Sequence, residues 1–155
     1  MSQAFADKLL RLAKKHSREI AEHWYSAVSK NTRTPAFHSL PKETCISMAE
    51  PLYRDLEALY FSEKPLESVA QSLEATRFVE FVYAKNIPFP EAIYALIMMR
   101  RHIWLYAELQ ATFVTLLDIT QSSESINRVV LIFDYIIYIF SLRYYEMSRQ
   151  KHIPM

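Results

Sequence analysis

Residues 129–140 read VVLIFDYIIYIF, and this stretch decides how the chain folds. It is apolar at every position except Asp134. The run is shorter than the roughly 18 residues that a membrane-spanning helix needs, and a carboxylate at its centre would be costly in a bilayer. The stretch therefore predicts a helix that is either buried within the protein or covered at an interface.

The helix that contains this run is predicted to begin near Ser122 or Ser123, after the polar break at residues 120–123, and to end near Ser148. It is apolar around most of its girth, so more than one partner must cover it. A small helical monomer offers few ways to do so, and we therefore expect a homodimer. The expected interface residues recur at three- and four-residue steps: Ile126, Val130, Phe133, Ile137 and Phe140.

Asp134 is the one charged group in this helical run. Burial of an unpaired carboxylate is expensive, so we expect a basic partner, with Arg77, Arg100 and Arg143 as the candidates. A buried Asp134–Arg100 pair would hold the helices in register. Alternatively, it would act as a switch that couples ligand or partner binding to helix position.

Apolar residues at helical spacing continue towards the N-terminus of the chain. Together with the last helix they predict five long helices, with Pro51 kinking or splitting the second and Asn86 capping the third. The four earlier helices are expected at about residues 4–29, 41–61, 65–86 and 88–117. Residues 1–155 are thus expected to form a single all-α domain, a helical bundle, with a loose tail at 149–155.

Composition excludes several classes of protein. The chain of 155 residues contains no glycine, on which phosphate-binding loops, dinucleotide-binding folds and most all-β proteins depend. The net charge of +1 gives no electrostatic case for binding nucleic acid. Cys45 is the single cysteine, which excludes an internal disulfide and a cysteine-based zinc finger. The N-terminal residues lack the apolar core of a signal peptide, and we expect a cytoplasmic protein that binds no membrane.

No catalytic constellation is visible in the sequence, and we expect a protein that is not an enzyme. Cys45 has no recognisable nucleophile signature around it. His16, Glu19 and His23 share one helical face at a spacing that suits a metal, which leaves a metal-dependent helical enzyme as a third alternative. We expect instead that both histidines border the core beside Trp24 and that no metal is bound.

His102 raises the question of a cofactor, since a helical histidine is one way to hold haem iron. It stands between the pair Arg100–Arg101 and Trp104. The alternative to an interaction module is therefore a haem- or bilin-binding protein that uses His102, Trp104 or His23. The arginines are explained more simply by ion pairs with acidic residues of neighbouring helices, and no cofactor is expected.

Three stretches resemble the RsbRD N-terminal sensor domain of stressosome co-antagonists and some bacterial histidine kinases. The stretch REIAEHW at residues 18–24 resembles the opening helix of that family, and residues 83–104 resemble its central turn and helix. Residues 133–135 and 144–146 are similar to parts of its last helix. Asn86 stands where the family often has glycine, which is a departure from the pattern.

The resemblance implies a bacterial, non-catalytic signalling input domain that is all-α, dimeric and globin-like in shape without haem. Its last helix would lead to an output domain or contact another signalling protein. The resemblance names neither the signal, nor a small-molecule ligand, nor the output partner.

Overall fold

The structure is a computed structural model that describes residues 2–109 and 123–151, with side chains described for residues 9–106 and 127–150. Within these ranges the chain is helical and contains no β-strand. The α-helices are α1 (Ser2–Lys15), α2 (Ser17–Val28), α3 (Lys42–Arg54), α4 (Leu56–Tyr60), α5 (Pro65–Thr76), α6 (Phe78–Ala84), α7 (Phe89–Leu109) and α8 (Ser123–Lys151). A short 3-10 helix, Pro35–Phe37, lies between α2 and α3. The all-α prediction is confirmed. The predicted count of five helices is not, because three of those helices are each broken in two.

Two of the three breaks occur where a single residue leaves helical geometry, and the other follows a proline. His16 separates α1 from α2 with φ −113° and ψ 27°. Pro51 remains inside α3, and the chain breaks after Arg54, one turn further on, so the predicted splitting of this helix is observed at a shifted position. Proline donates no backbone hydrogen bond and disturbs the helix around it.

The third break has a specific local cause at Thr76. The Oγ1 of Thr76 donates to the carbonyl of Leu73 and accepts from the amide of Phe78, so the side chain competes for backbone groups at the end of α5. Arg77, between them, is left-handed with φ 59°. A non-glycine residue in this region costs about 1–2 kcal/mol, which the packing of α5 and α6 must offset.

Asn86 is confirmed as the cap that ends α6. Its φ is 55°, and its amide donates to the carbonyl of Tyr83 while the amide of Ile87 donates to that of Val82. These two bonds are the Schellman pattern, in which a left-handed residue satisfies the last carbonyls of a helix. Asparagine tolerates this conformation better than most residues, which explains how the turn forms without glycine.

Helix α8 lies at the centre of the packing. It runs antiparallel to α7, since Phe89 at the start of α7 contacts Tyr144 and Arg100, further along, pairs with Asp134. On another side, Arg143 donates to the carbonyl of Ala70 in α5. Helices α1, α4 and α6 also contact α8, so its buried face is covered by five helices of its own chain.

The last helix extends further than the sequence predicts. The loose tail was expected from residue 149, but α8 continues to Lys151. Residues 110–117 of the predicted fourth helix and residues 152–155 of the predicted tail fall outside the described residues. In the part of the chain that is described, no helix combines the length and the hydropathy needed to cross a bilayer.

Candidate functional site

The predicted dimer interface on α8 is wrong for two of its residues. Phe133 and Phe140 are both 0% exposed and belong to the core of the single chain. Val130 and Ile137 are half-buried, and the side chain of Ile126 lies outside the described residues. The prediction followed the apolar stripe correctly but assigned two core residues to a second copy, because a sequence does not reveal which neighbouring helices cover them.

A different line on α8 stays exposed, and we call it the α8 seam. Leu131, Tyr138, Leu142 and Tyr145 are exposed by 43%, 56%, 41% and 59%, respectively, and Tyr135 is half-buried. The five residues are spaced by four, three, four and three positions, which is the a/d pattern of a coiled coil. They form one line along the helix about 21 Å long, at 1.5 Å per residue.

Asp134 borders the seam and forms the pair with Arg100 that the sequence analysis singled out. The Arg100 Nη1 atom lies 3.6 Å from the Asp134 Oδ1 atom. The expectation of a buried carboxylate is wrong, because 56% of the Asp134 side chain is exposed. It projects from the solvent-facing side of an otherwise apolar helix. An exposed pair of this kind contributes about 0–1 kcal/mol and links α7 to α8 without fixing the core.

A histidine–tyrosine cluster joins α2 and α7, and it adds Tyr106 to the predicted face of His16, Glu19 and His23. The Tyr106 hydroxyl donates to Glu19 at 2.5 Å, and the tyrosine ring lies 5.6 Å from the ring of His16 and 6.0 Å from that of His23. Tyr106 was missed in the sequence. The available signal was its position one helical turn after His102.

The hydrogen bond between Tyr106 and Glu19 shifts the pKa values of the two groups in opposite directions. It is the largest cause that lowers the pKa of the Glu19 carboxyl, because the hydroxyl stabilises the carboxylate. For Tyr106, desolvation is the largest cause and the bond to Glu19 adds to it, which raises the pKa of the phenol to about 12. The pair therefore holds a carboxylate and a neutral phenol across the physiological range.

His102 lies on α7 one turn before Tyr106 and is half-buried. Its Nδ1 atom is 2.8 Å from the carbonyl oxygen of Met98. A carbonyl only accepts hydrogen bonds, so Nδ1 carries the proton. Burial is the largest cause that lowers the pKa of His102, and charges at His23 and Arg101 lower it further. His102 is thus held neutral by its surroundings.

Replacement of His102 by glutamine should flatten the dependence of stability on pH. Because the pKa of His102 is lower in the folded than in the unfolded chain, the unfolded state binds more protons, and stability falls as the pH drops through about 6.5. Denaturant unfolding of both proteins from neutral to mildly acidic pH measures this. The wild type should lose more stability on acidification than His102→Gln; equal slopes would contradict the assignment. The comparison isolates His102, since Glu19, His16, His23 and Arg101 remain in both proteins.

The histidines do not assemble into a metal site in the part of the chain that is described. No three His, Cys, Asp or Glu side chains there converge in a way that would hold an ion. His16 Nδ1 lies 3.6 Å from Glu19 Oε2, but the Tyr106 hydroxyl bonds that same oxygen. His23 is exposed, whereas Trp24 beside it is fully buried and donates to the Ala95 carbonyl.

A cavity of about 300 Å³ opens next to His23. Every described residue that lines it is polar or charged: Glu19, Glu22, His23, Ser26 and Lys42. A porphyrin or bilin needs a largely apolar pocket, and this lining does not provide one. Trp104, the other residue of the cofactor hypothesis, is half-buried on α7.

A second, larger cavity of about 470 Å³ lies between α4 and α5. The Ser72 hydroxyl donates to Asp55 at its edge, and the hydroxyls of Ser62 and Ser68 bond one another. Most of the described lining residues are polar, and the three serine hydroxyls among them already form hydrogen bonds at the cavity.

Comparison with known proteins gives no relationship on which a function can be based. No family model matches the chain, no curated protein matches it, and no solved structure matches its fold. The resemblance to the RsbRD N-terminal domain therefore stays an expectation that rests on the residues quoted above.

Proposed function

We propose that this protein is a non-catalytic helical interaction module that pairs with a second copy through the α8 seam and serves as the input part of a signalling system. The observation that carries the proposal is the exposed a/d line of Leu131, Tyr135, Tyr138, Leu142 and Tyr145. The resemblance to a bacterial sensor domain agrees with it but does not carry it.

The heptad spacing argues for a helix as the partner. Residues at a and d positions pack as knobs into the holes of a facing helix, and two uninterrupted heptads give a continuous line of contact. Arg128 and Arg149 occupy the a positions at the two ends, so charged residues bound the apolar stretch on both sides. Tyrosine is enriched at protein interfaces because it combines apolar area with a polar tip.

A second copy is the partner that the charge of the chain favours. The net charge of +1 leaves little long-range repulsion between two copies. Charges of both signs also border the seam, since acidic Asp134 and Glu146 flank it and basic Arg149 stands at its end. Two copies of α8 therefore offer each other both the apolar line and charges of either sign at its flanks.

Signalling through such a module requires two arrangements that a signal distinguishes. A ligand shifts the balance only if it binds one arrangement more tightly than the other. The Asp134–Arg100 pair lies beside the seam and connects α7 to α8. A displacement of α7 would thereby change the charges at the edge of the dimer contact, which is the switching role foreseen for this pair, placed at the surface instead of in the core.

Leu142→Glu is expected to weaken self-association at least about tenfold, since it replaces a leucine that dimerisation would bury with a charged side chain. Leu66→Glu is the matched control, because Leu66 on α5 is exposed by 40% and Leu142 by 41%. Light scattering or sedimentation over a range of concentrations measures the mass. The wild type and Leu66→Glu should be dimers, and Leu142→Glu a monomer at concentrations where they associate.

Two results would overturn the proposal. A wild-type chain that stays monomeric across the concentration range excludes the seam as a dimer contact. An equal loss of association in Leu66→Glu and Leu142→Glu shows that the contact lies elsewhere. Circular dichroism on each variant establishes that it is folded, which is expected because both positions point to solvent.

A further inference from the structure

A group of two arginines and one tyrosine stands apart from both the α8 seam and the histidine–tyrosine cluster. The guanidinium carbon of Arg33 lies 5.7 Å from the centre of the Tyr94 ring, and that of Arg101 lies 6.0 Å from the same centre. Tyr94 and Arg101 are two turns apart on one face of α7, and Arg33 reaches them from the loop between α2 and α3. Two cations thus converge on one aromatic side chain.

Neither arginine has an acidic partner among the described residues. Arg18, Arg54, Arg100 and Arg143 each lie within 4 Å of a carboxylate, but no described carboxylate lies that close to Arg33 or Arg101. Two like charges beside one neutral phenol repel each other, and an anion between them would relieve that repulsion.

Glu91, an acidic residue near the same face of α7, is engaged elsewhere. Glu91 lies one turn before Tyr94, and its Oε1 accepts a hydrogen bond from the amide of Ala36 at 2.8 Å. This bond fixes the 3-10 helix against the start of α7. Glu91 therefore holds the loop in position, and no ion pair from it to either arginine is found in the described part of the chain.

The loop that carries Arg33 is braced on both sides. The amide of Arg33 donates to the Asn31 side chain, and the buried hydroxyl of Thr34 donates to the Val28 carbonyl at 2.7 Å. The His38 ring donates to the carbonyl of Asn31. Arg33 thus starts from a fixed backbone position, which reduces the entropy lost when its guanidinium binds a ligand.

Positive charge is concentrated at the Tyr94 hydroxyl. A hydrogen bond from Arg101 is the largest cause that lowers the pKa of this phenol, and the charge of Arg33 adds to it. Both guanidinium groups therefore act on the same oxygen atom. Positive charge that stabilises a phenolate at this point also stabilises an external anion there.

We propose that Arg33, Tyr94 and Arg101 form a binding site for a phosphate group, either free or carried as a monoester by a small molecule. The planar guanidinium fork matches the oxygens of phosphate and binds them with two parallel hydrogen bonds. Two forks and the tyrosine hydroxyl together supply donors to several oxygens of one phosphate. The site lies outside the α8 seam, so it stands or falls separately from the proposed dimer.

Titration of the whole chain with inorganic phosphate tests the site, with sodium chloride at equal ionic strength as the reference. Amide NMR shifts of residues around Arg33 and Arg101 report binding. Ionisation of Tyr94, taken as the difference in tyrosinate absorbance between the wild type and Tyr94→Phe, reports it independently, since a bound anion should raise the pKa of that phenol. Arg33→Gln and Arg101→Gln should each weaken phosphate binding at least about tenfold, because each removes a charged hydrogen-bond partner.

Arg54→Gln is the matched control. Arg54 is an exposed arginine at the end of α3, away from the proposed site, and it already lies 3.9 Å from the carboxylate of Asp55. This variant should leave phosphate binding unchanged.

A second titration with glycerol phosphate distinguishes free phosphate from a phosphate monoester as the ligand. Equal affinity assigns the site to the phosphate group alone, and tighter binding assigns it to a monoester. Shifts no larger than those with chloride, or shifts that persist in both arginine variants, would overturn the proposal.

Discussion

Phe140→Ala is expected to lower the free energy of unfolding by about 3–5 kcal/mol. The Phe140 side chain is 0% exposed, and its ring lies 5.5 Å from that of Phe78, 6.0 Å from that of Phe89 and 5.9 Å from that of Tyr144. Removal of the ring leaves a cavity where three aromatic rings meet, and each lost aromatic pair adds about 0.5–1.5 kcal/mol to the lost burial.

Tyr138→Ala is the control for this measurement, since Tyr138 lies two residues earlier on α8 and is 56% exposed. Denaturant unfolding should be carried out in the Leu142→Glu background, so that association does not add to the apparent stability. There Tyr138→Ala should change stability by no more than about 0.5 kcal/mol. A small loss of stability for Phe140→Ala, together with weaker dimerisation when the same substitution is made in the wild type, would restore Phe140 to the interface and contradict the packing described above.

Cys45 in the folded chain is expected to react with a soluble aromatic disulfide at least about 1,000-fold more slowly than in the unfolded chain. The side chain is 0% exposed on α3, so reagent reaches it only when the structure opens. Burial also raises the pKa of the thiol to about 11, which keeps the reactive thiolate scarce. Absorbance of the released thiol, with and without denaturant, measures the ratio.

A matched control uses Ser47, an exposed position two residues further along α3. In a Cys45→Ala background, Ser47→Cys should react at the rate of an unstructured thiol. Phe140→Ala should accelerate the labelling of Cys45 by about 100-fold or more if exposure requires global unfolding. Rapid labelling of the native wild type would show that α3 is not buried as described.

The helical class was predictable because helical periodicity is a local property of the sequence. The spacing of apolar residues, the prolines at the ends of helices and the absence of glycine each act within a few residues. The capping role of Asn86 was predictable for the same reason. The breaks at His16 and Arg77 were not. Thr76 supplies local hydrogen bonds at the second break, but the cost of a left-handed residue there is offset by packing between the two halves, which local propensity does not include.

The candidate sites needed information that only distant contacts supply. The sequence placed His16, Glu19 and His23 on one face, but the position of Tyr106 against them depends on how α7 crosses α2. In the same way, the pairing of Arg33 with Tyr94 and Arg101 joins a loop to a helix about 60 residues away in the chain. No periodic pattern encodes such a distance.

Helix α8 shows most clearly which properties follow from the local sequence and which follow from tertiary packing. Its amino-acid sequence alone determined that it is a long helix with too much apolar surface for one neighbour, and that Asp134 would meet a base. Tertiary structure decided which flank is covered: Phe133 and Phe140 point inward against helices of the same chain, whereas Leu131, Tyr138 and Tyr145 face solvent together with Asp134. The physical reason is that burial depends on which elements surround a side chain, and that arrangement is set by the packing of the whole chain at once.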